Sequence, residues 1–388
     1  MGQPETLRLM TLAPLLTGAT GLVLLAIILW DAFETILVPR RIGRRVRFTR
    51  YFYLLTWRLW SSLAGAIRKS SRRESLLGFY GPLSLLMLLV CWAAGLVLAF
   101  AWLQSAALGA ARLPSEHFGT LLYMSGETFF TLGFGDVTPG SGFGRALSVL
   151  EAGMGFGFLG TVVGYLPTLY TAFSQREIEI SLLDARAGSP PTAGEFLIRH
   201  FSGGSPAASD AAMRDWERWS AQLLETHISY PLLAYYRSQH GNQSWLSALT
   251  AILDSSALLL AAPDAANKSQ AKLTFAMARH ALVDIMQSFV PRYTESMLDR
   301  LPPADLKRLC ERLEQSSLRL TPSPQLEQRL TMLRRMYEPY AQALAAYLLF
   351  ELPPWLHPAP RRDNWRGGPW DKWLGTAEHV DAHDDEHF

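Results

Sequence analysis

Residues 131–136, Thr-Leu-Gly-Phe-Gly-Asp, have the types and the spacing to do chemistry. Two glycines one residue apart let a backbone alternate its dihedrals, because a residue without Cβ enters φ > 0 at little steric cost. Alternation turns consecutive carbonyl oxygens to one side, and closely spaced oxygens can replace the water around a cation. Gly133 and Gly135 permit this geometry, Thr131 adds a hydroxyl oxygen at one end, and Leu132 and Phe134 are expected to point backwards into packing. This chemistry is coordination without bond making. No nucleophile and base constellation stands out elsewhere, so no enzyme is expected and no cofactor. A lone Gly-Phe-Gly in a soluble protein is a turn. Its meaning therefore depends on the elements that hold it.

Those elements are set by hydropathy. The chain has 388 residues, 49% hydrophobic and 18% charged, too apolar for an average soluble enzyme and too charged for a pure transporter. A mixed membrane and soluble protein is expected. Lys+Arg 36 against Asp+Glu 34 gives a net charge of +2, so no nucleic-acid partner is indicated. Cys91 and Cys310 stand alone in unlike surroundings and imply no disulfide framework. Residues 11–30, 76–111 and 152–175 are uncharged, and each meets the roughly 20 residues that cross a bilayer. The second run exceeds one span, which predicts a tilt or a short extracellular cap. The first run is too long for a cleaved signal peptide and lacks an Ala-x-Ala site. A loose N-terminal myristoylation pattern is set aside, because the topology places it outside.

Basic residues orient these spans. Arg40, Arg41, Arg44, Arg45, Arg47 and Arg50 follow the first, and Arg68, Lys69, Arg72 and Arg73 precede the second, so both clusters belong in the cytoplasm. Residues 47–67 are apolar and rich in Tyr and Trp, yet a span there would put one cluster outside. With Arg50 and Arg58 snorkelling, they read as an interfacial helix. The predicted topology has the N-terminus outside, three spanning helices, and everything after about residue 176 in the cytoplasm. Between the second and third spans, residues 114–145 must return to the same face, and their apolar stretch is too short to span. A re-entrant half-helix over 117–130 satisfies its backbone, followed by a non-helical loop that must be buried in protein or line water. The negative C-terminal end of that half-helix favours a cation.

Thr131-Leu132-Gly133-Phe134-Gly135-Asp136 resembles the potassium-channel signature Thr-x-Gly-Tyr/Phe-Gly-Asp. Helix, half-helix, loop and helix over 76–175 resemble the two-helix pore domain of that superfamily. The resemblance implies a selectivity filter at Thr131, Leu132, Gly133, Phe134 and Gly135, with K⁺ held by carbonyls at 131–134 as the permeant ion. It places Asp136 at the outer mouth and Glu127 at a buried position behind the filter. Phe134 replaces the commoner Tyr and removes a hydroxyl that usually bonds to the half-helix. The segments "DAFETILVPRR" and "GYLPTLYTAFSQREIEISLLDARAGSPP" extend the resemblance to bacterial ion-channel proteins with an extra N-terminal helix, up to about residue 195.

Other acids and glycines bear on the same region. Glu127 and Asp136 could share a proton behind the filter or be separately solvated. In the third span, Gly153, Gly155, Gly157, Gly160 and Gly164 permit either bending or close packing. Gly160, Gly164 and Pro167 are the gate-hinge candidates, with the inner pore near Leu166, Leu169 or Tyr170. Glu151 is an acid inside a span and a functional candidate, with an ion pair to Arg145 as the structural alternative.

Beyond 176 the apolar periodicity is helical, and no dinucleotide fingerprint or β-roll appears. The expected fold class is an all-α membrane protein with an α-helical cytoplasmic domain. The expected organisation is 1–39 first span, 40–75 basic interfacial segment, 76–176 pore domain, 177–352 helical domain and 353–388 tail. The tail gathers His379, Asp381, His383, Asp384, Asp385, Glu386 and His387, which could bind a divalent metal but read better as a solvated acidic tail. One filter strand per chain requires four copies around an ion, so the expected protein is a homotetrameric potassium channel of a bacterial inner membrane. Its partners are membrane lipids and an unidentified gating ligand at the helical domain. A weakly selective cation channel, or an anchored sensor or scaffold with a dead pore, is the alternative.

Overall fold

The computed structural model describes residues 3–38, 47–67, 69–108, 118–201, 206–239, 242–263, 268–289, 298–314, 318 and 320–357. The basic run 39–46, residues 109–117 beyond the second span and the acidic tail with its candidate metal ligands lie outside these. Among the described residues the chain is all helical, and three helices are long and apolar enough to cross a membrane. It divides into two compact units, Met1–Tyr170 and Thr171–Phe388.

The first unit is built on α3 (Ser70–Leu108). Helix α1 (Gln3–Ile36) runs antiparallel to it. A Cβ on Gly18 would meet Ala106, one on Gly21 would stand 2.8 Å from Ala99 O, and Gly95 of α3 lies against Ile28. The two backbones approach closely because glycine supplies no Cβ at these crossings. Helix α2 (Phe48–Gly65) packs on the N-terminal part of α3. The Trp60 indole N–H donates to Leu76 O (3.0 Å), and the Trp57 ring sits 4.8 Å from that of Tyr80.

Arg47, at the start of α2, makes no side-chain cap bond. Asp31 of α1 takes that role from a distance. Its carboxylate accepts from Thr49 N–H (3.2 Å), from the Thr49 hydroxyl, and from Trp92 Nε1 of α3 (3.1 Å). One buried acid thereby satisfies an orphan amide of a helix start and ties three helices together. Glu34, one turn further, accepts from Trp30 Nε1 (2.7 Å) and pairs with Arg47 (3.4 Å).

Helix α4 (Phe118–Phe129) packs on α3, and α5 (Gly142–Ala187) follows after a short non-helical segment.

The second unit surrounds α8 (Trp245–Ala261), in which every residue except Leu260 is buried. A helix that is apolar all round belongs in a core, and this one forms it. Its Thr250, Ser255 and Ser256 hydroxyls donate to carbonyls one turn back. Around it pack α6 (Ala193–Phe201), α9 (Lys268–Phe289), α11 (Pro324–Arg334) and α12 (Glu338–Leu348), with α7 (Pro206–Ser229) on α9 and α10 (Pro303–Leu313) on α6. The single charge on α8, Asp254, accepts from Arg300 Nη1 (3.2 Å) and Nη2 (2.6 Å) and from the Tyr337 hydroxyl. Arg300 also bonds Glu338 (3.1 Å) and Pro353 O (2.6 Å), and Arg334 bridges Glu338 (3.0 Å) and Asp299 (2.6 Å).

The C-terminal part of α5 belongs to this unit. Arg176 is buried and donates to Leu233 O (2.8 Å) and Tyr236 O (3.0 Å), while Glu177 accepts from the Ser238 hydroxyl and Gln239 N–H. His227 of α7 lies beside Arg176, with Nε2 3.5 Å from its Nη1 and Nδ1 2.8 Å from Leu223 O. A carbonyl must be met by a donor and a guanidinium by an acceptor, so the ring is the neutral tautomer with its hydrogen on Nδ1. Burial, reinforced by Arg176, pushes its pKa from the ordinary 6.5 down to about 3. Because the folded value is depressed, the unfolded chain binds the proton first, and stability present above pH 6.5 is lost as pH falls toward 3. The loss amounts to roughly 5 kcal/mol on full protonation. The tryptophan near-ultraviolet dichroism of the second unit should therefore melt on mild acidification, and His227→Gln should flatten the slope between pH 6.5 and about 4. An unchanged slope in that variant would assign the acid sensitivity to other groups.

Candidate functional site

Helix α4 is closed at its end by backbone bonds from Phe130 N–H to Gly126 O (3.0 Å), Thr131 N–H to Thr128 O (3.1 Å) and Leu132 N–H to Glu127 O (2.8 Å). The next turn cannot continue the helix, because the backbone reverses hand. Thr131 has φ 57°, Gly133 φ 62° and Gly135 φ 76°, so every second residue is left-handed. A Cβ at Gly133 or Gly135 would meet nothing within 4 Å in the single chain. The backbone angle demands glycine there, and space does not. Thr131 adopts the same hand with a β-branched side chain, at a cost of about 1–2 kcal/mol. No sequence signal pointed to that strain. Leu132 and Phe134 do not pack within their own chain, at 57% and 68% exposed. Among the described residues of a single chain the packing expected for them is not complete.

The acids are arranged differently from a direct pair. Asp136 accepts from its neighbour Val137 N–H (3.1 Å) and faces the Tyr123 hydroxyl at 3.4 Å. Tyr123 stands one helical turn before Glu127 on the same face of α4, and its hydroxyl interacts with both carboxyls. Glu127 is buried, and its Oε2 has no hydrogen-bond partner. Tyr123 was not among the sequence candidates.

Two contacts hold α5, one against α3 and one against the end of α4. Gln104 of α3 donates through Nε2 to Gly144 O and the Ser148 hydroxyl, both 3.0 Å. Further along, a Cβ on Gly155 would lie 1.9 Å from Phe129 O. Helix α5 thus crosses the last residue of α4 at backbone contact. Residues 86–172, from α3 through α4 and residues 131–136 into α5, match the ion channel family.

The chain carries an ion-channel domain.

Over 206 residues the chain is also 26% identical to the uncharacterized membrane protein YdjJ of Bacillus subtilis (strain 168), covering 52% of this chain and 58% of that one. The chain thus spans less than two thirds of that curated relative. No solved structure matches.

Within the channel domain the hinge candidates separate from the packing glycine. Gly160 and Gly164 face open space in the single chain, and Gly155 is the residue at a close crossing. Pro167 lies inside the unbroken α5. It brings no N–H for Val163 O, and one turn earlier Gly164 O accepts from the Thr168 hydroxyl (3.0 Å). Leu169 is buried at 3% exposed and is removed from the pore-lining candidates, whereas Tyr170 is 65% exposed and Leu166 half-buried. Glu151 does not pair with Arg145, which is exposed. Its Oε1 meets the Ser125 hydroxyl of α4 instead, because residue 151 faces α4 at the level of Ser125. Among the described residues no cluster of three His, Cys, Asp or Glu side chains forms a metal site.

Proposed function

We propose that the protein is a homotetrameric potassium channel of a bacterial inner membrane, with its N-terminus outside and the second unit in the cytoplasm. The observation that carries this reading is the left-handed backbone at Thr131, Gly133 and Gly135, at the end of a half-helix inside an ion-channel domain. Alternating hand aims the carbonyls of Thr131, Leu132, Gly133 and Phe134 to one side. Four such strands replace the hydration shell of K⁺. Asp136 then holds the outer mouth and Glu127 supports the filter from behind.

Assembly follows from exposed apolar area. The most apolar stretch of α5 is 11% buried in the single chain, against 56% in α3. Phe130, Phe134, Val149, Phe156, Leu159 and Val163 present a large apolar surface around the filter. Copies of the same chain around a fourfold axis cover it, and they supply the packing that Leu132 and Phe134 lack. Continuity of α5 into the second unit, with Arg176 and Glu177 holding its end, supports gating of the α5 bundle by that unit.

Purified protein in lipid vesicles tests this directly. K⁺ uptake down its gradient, with Na⁺ excluded, is the expected result. Equal K⁺ and Na⁺ uptake would leave a weakly selective cation channel, and no uptake under any condition would leave a membrane-anchored scaffold.

A further inference from the structure

Glu151 has no assigned role, and its surroundings fix more than its position. Its side chain is 0% exposed in one chain, so neither solvent nor a second copy touches it. The Ser125 hydroxyl contacts two oxygens: Val97 O of α3 at 2.7 Å, and Glu151 Oε1. Glu151 Oε2 meets no hydrogen-bond partner.

A hydroxyl owns one hydrogen, a backbone carbonyl only accepts, and an ionised carboxylate only accepts. With Glu151 ionised, two acceptors compete for the hydrogen of Ser125, and one short oxygen contact is left with none. With Glu151 protonated, every hydrogen is placed: the acid donates to Ser125 Oγ, and Ser125 donates to Val97 O. Nothing nearby compensates a negative charge. Among the described residues no Lys, Arg or His pairs with Glu151, and Arg145 on the same helix is exposed. The titratable groups facing from α4 are Glu127, itself an acid with an unpartnered oxygen, and Tyr123, which is turned to Asp136. The part of α3 that holds Val97 carries no charge between residues 76 and 108, and its one titratable side chain there outside tyrosine is Cys91.

We propose that Glu151 is a proton-binding site whose protonated form latches α5 to α4 behind the filter, and whose deprotonation releases the latch and closes conduction. The ligand is the proton itself. Four residues further along α5, Gly155 abuts the end of α4, so a release at Glu151 reaches the element that carries Thr131. The conducting role rests on the channel reading above, whereas the proton site does not.

The test uses full-length protein in lipid vesicles and two readouts. Infrared spectra of wild type minus Glu151→Gln should show one protonated carboxylic-acid carbonyl band at neutral pH, shifted in D₂O and bleached on alkalinisation. Glutamine keeps a donor toward Ser125, so K⁺ flux in Glu151→Gln should persist and lose its dependence on pH. Wild-type flux should fall as the band bleaches, and Ser125→Ala should lower flux at every pH. Absence of the acid band in the difference spectrum overturns the site. A band that bleaches without any change in wild-type flux, or a pH dependence that survives in Glu151→Gln, overturns the latch. A band present with no flux under any condition supports the site and fails the channel reading instead.

Discussion

Gly155→Ala will reach the membrane as intact protein and will not conduct. A Cβ at this position would lie 1.9 Å from Phe129 O and 2.8 Å from its carbonyl carbon. Neither atom belongs to a flexible side chain, so a helix must move. The required shift exceeds about 1 Å, and overpacking of this kind typically costs about 1–3 kcal/mol even where side chains can yield. Here the yielding element is the end of α4, whose closing bonds from Phe130, Thr131 and Leu132 set the start of the filter backbone. Filter geometry should fail before the fold does. Gly160→Ala and Gly164→Ala serve as controls for folding and yield alone, since they are the hinge candidates and a Cβ meets nothing within 4 Å at either site in the single chain. Alanine in an exposed helix interior is favoured over glycine by about 0.5–1 kcal/mol. Vesicle flux beside a gel-filtration profile decides the matter, and wild-type conduction in Gly155→Ala would refute the crossing as described.

The second unit should collapse on Asp254→Ala. Asp254 is the one charge of the core helix α8 and is itself fully buried, and it holds Arg300 and Tyr337 at once. Removing it leaves the Arg300 guanidinium buried with a reduced set of acceptors and strips the Tyr337 hydroxyl of its carboxylate. Breaking a buried ion pair from one side costs roughly 3–5 kcal/mol, a large share of the 5–15 kcal/mol that domains have. Limited proteolysis should then cut within the second unit, and its thermal transition should vanish or drop by many degrees. The cost comes from the orphaned partner more than from the lost attraction. Asp254→Leu combined with Arg300→Met should therefore recover much of the stability that either single change loses. A single variant with wild-type protease resistance would show that the cluster is dispensable.

The spans and the glycines of 131–136 were legible in the sequence because both are local. Twenty apolar residues cross a bilayer whatever their neighbours are, and a left-handed backbone favours glycine whatever surrounds it. Gly133 and Gly135 carry that requirement on their own. Thr131 does not, since threonine at φ 57° is held there by the chain on either side. Partners across helices were not legible either. Arg145 is the nearest cation to Glu151 in the chain, yet the side chain that meets Glu151 is Ser125, 26 residues away. Tyr123 between Glu127 and Asp136 depends on the same register of α4. Gly155 could be seen as one of five glycines in the third span, and only the crossing distance distinguishes it from Gly160. The segment "DAFETILVPRR" matched as a string, and its buried acids acquire a reason only from their partners, Thr49 and Trp92 for Asp31 and Trp30 and Arg47 for Glu34.

Asp31 also has a consequence for biogenesis. An acid near the centre of an inserting helix costs up to roughly 3 kcal/mol at the translocon, and α1 carries both Asp31 and Glu34 toward its end. The partners of Asp31 are made later: Thr49 follows by 18 residues and Trp92 by 61. Until α2 and α3 are delivered against it, the first span lacks the partners that Asp31 has in the folded chain. The contacts that secure Asp31 are thus completed only by helices that follow α1 in the chain.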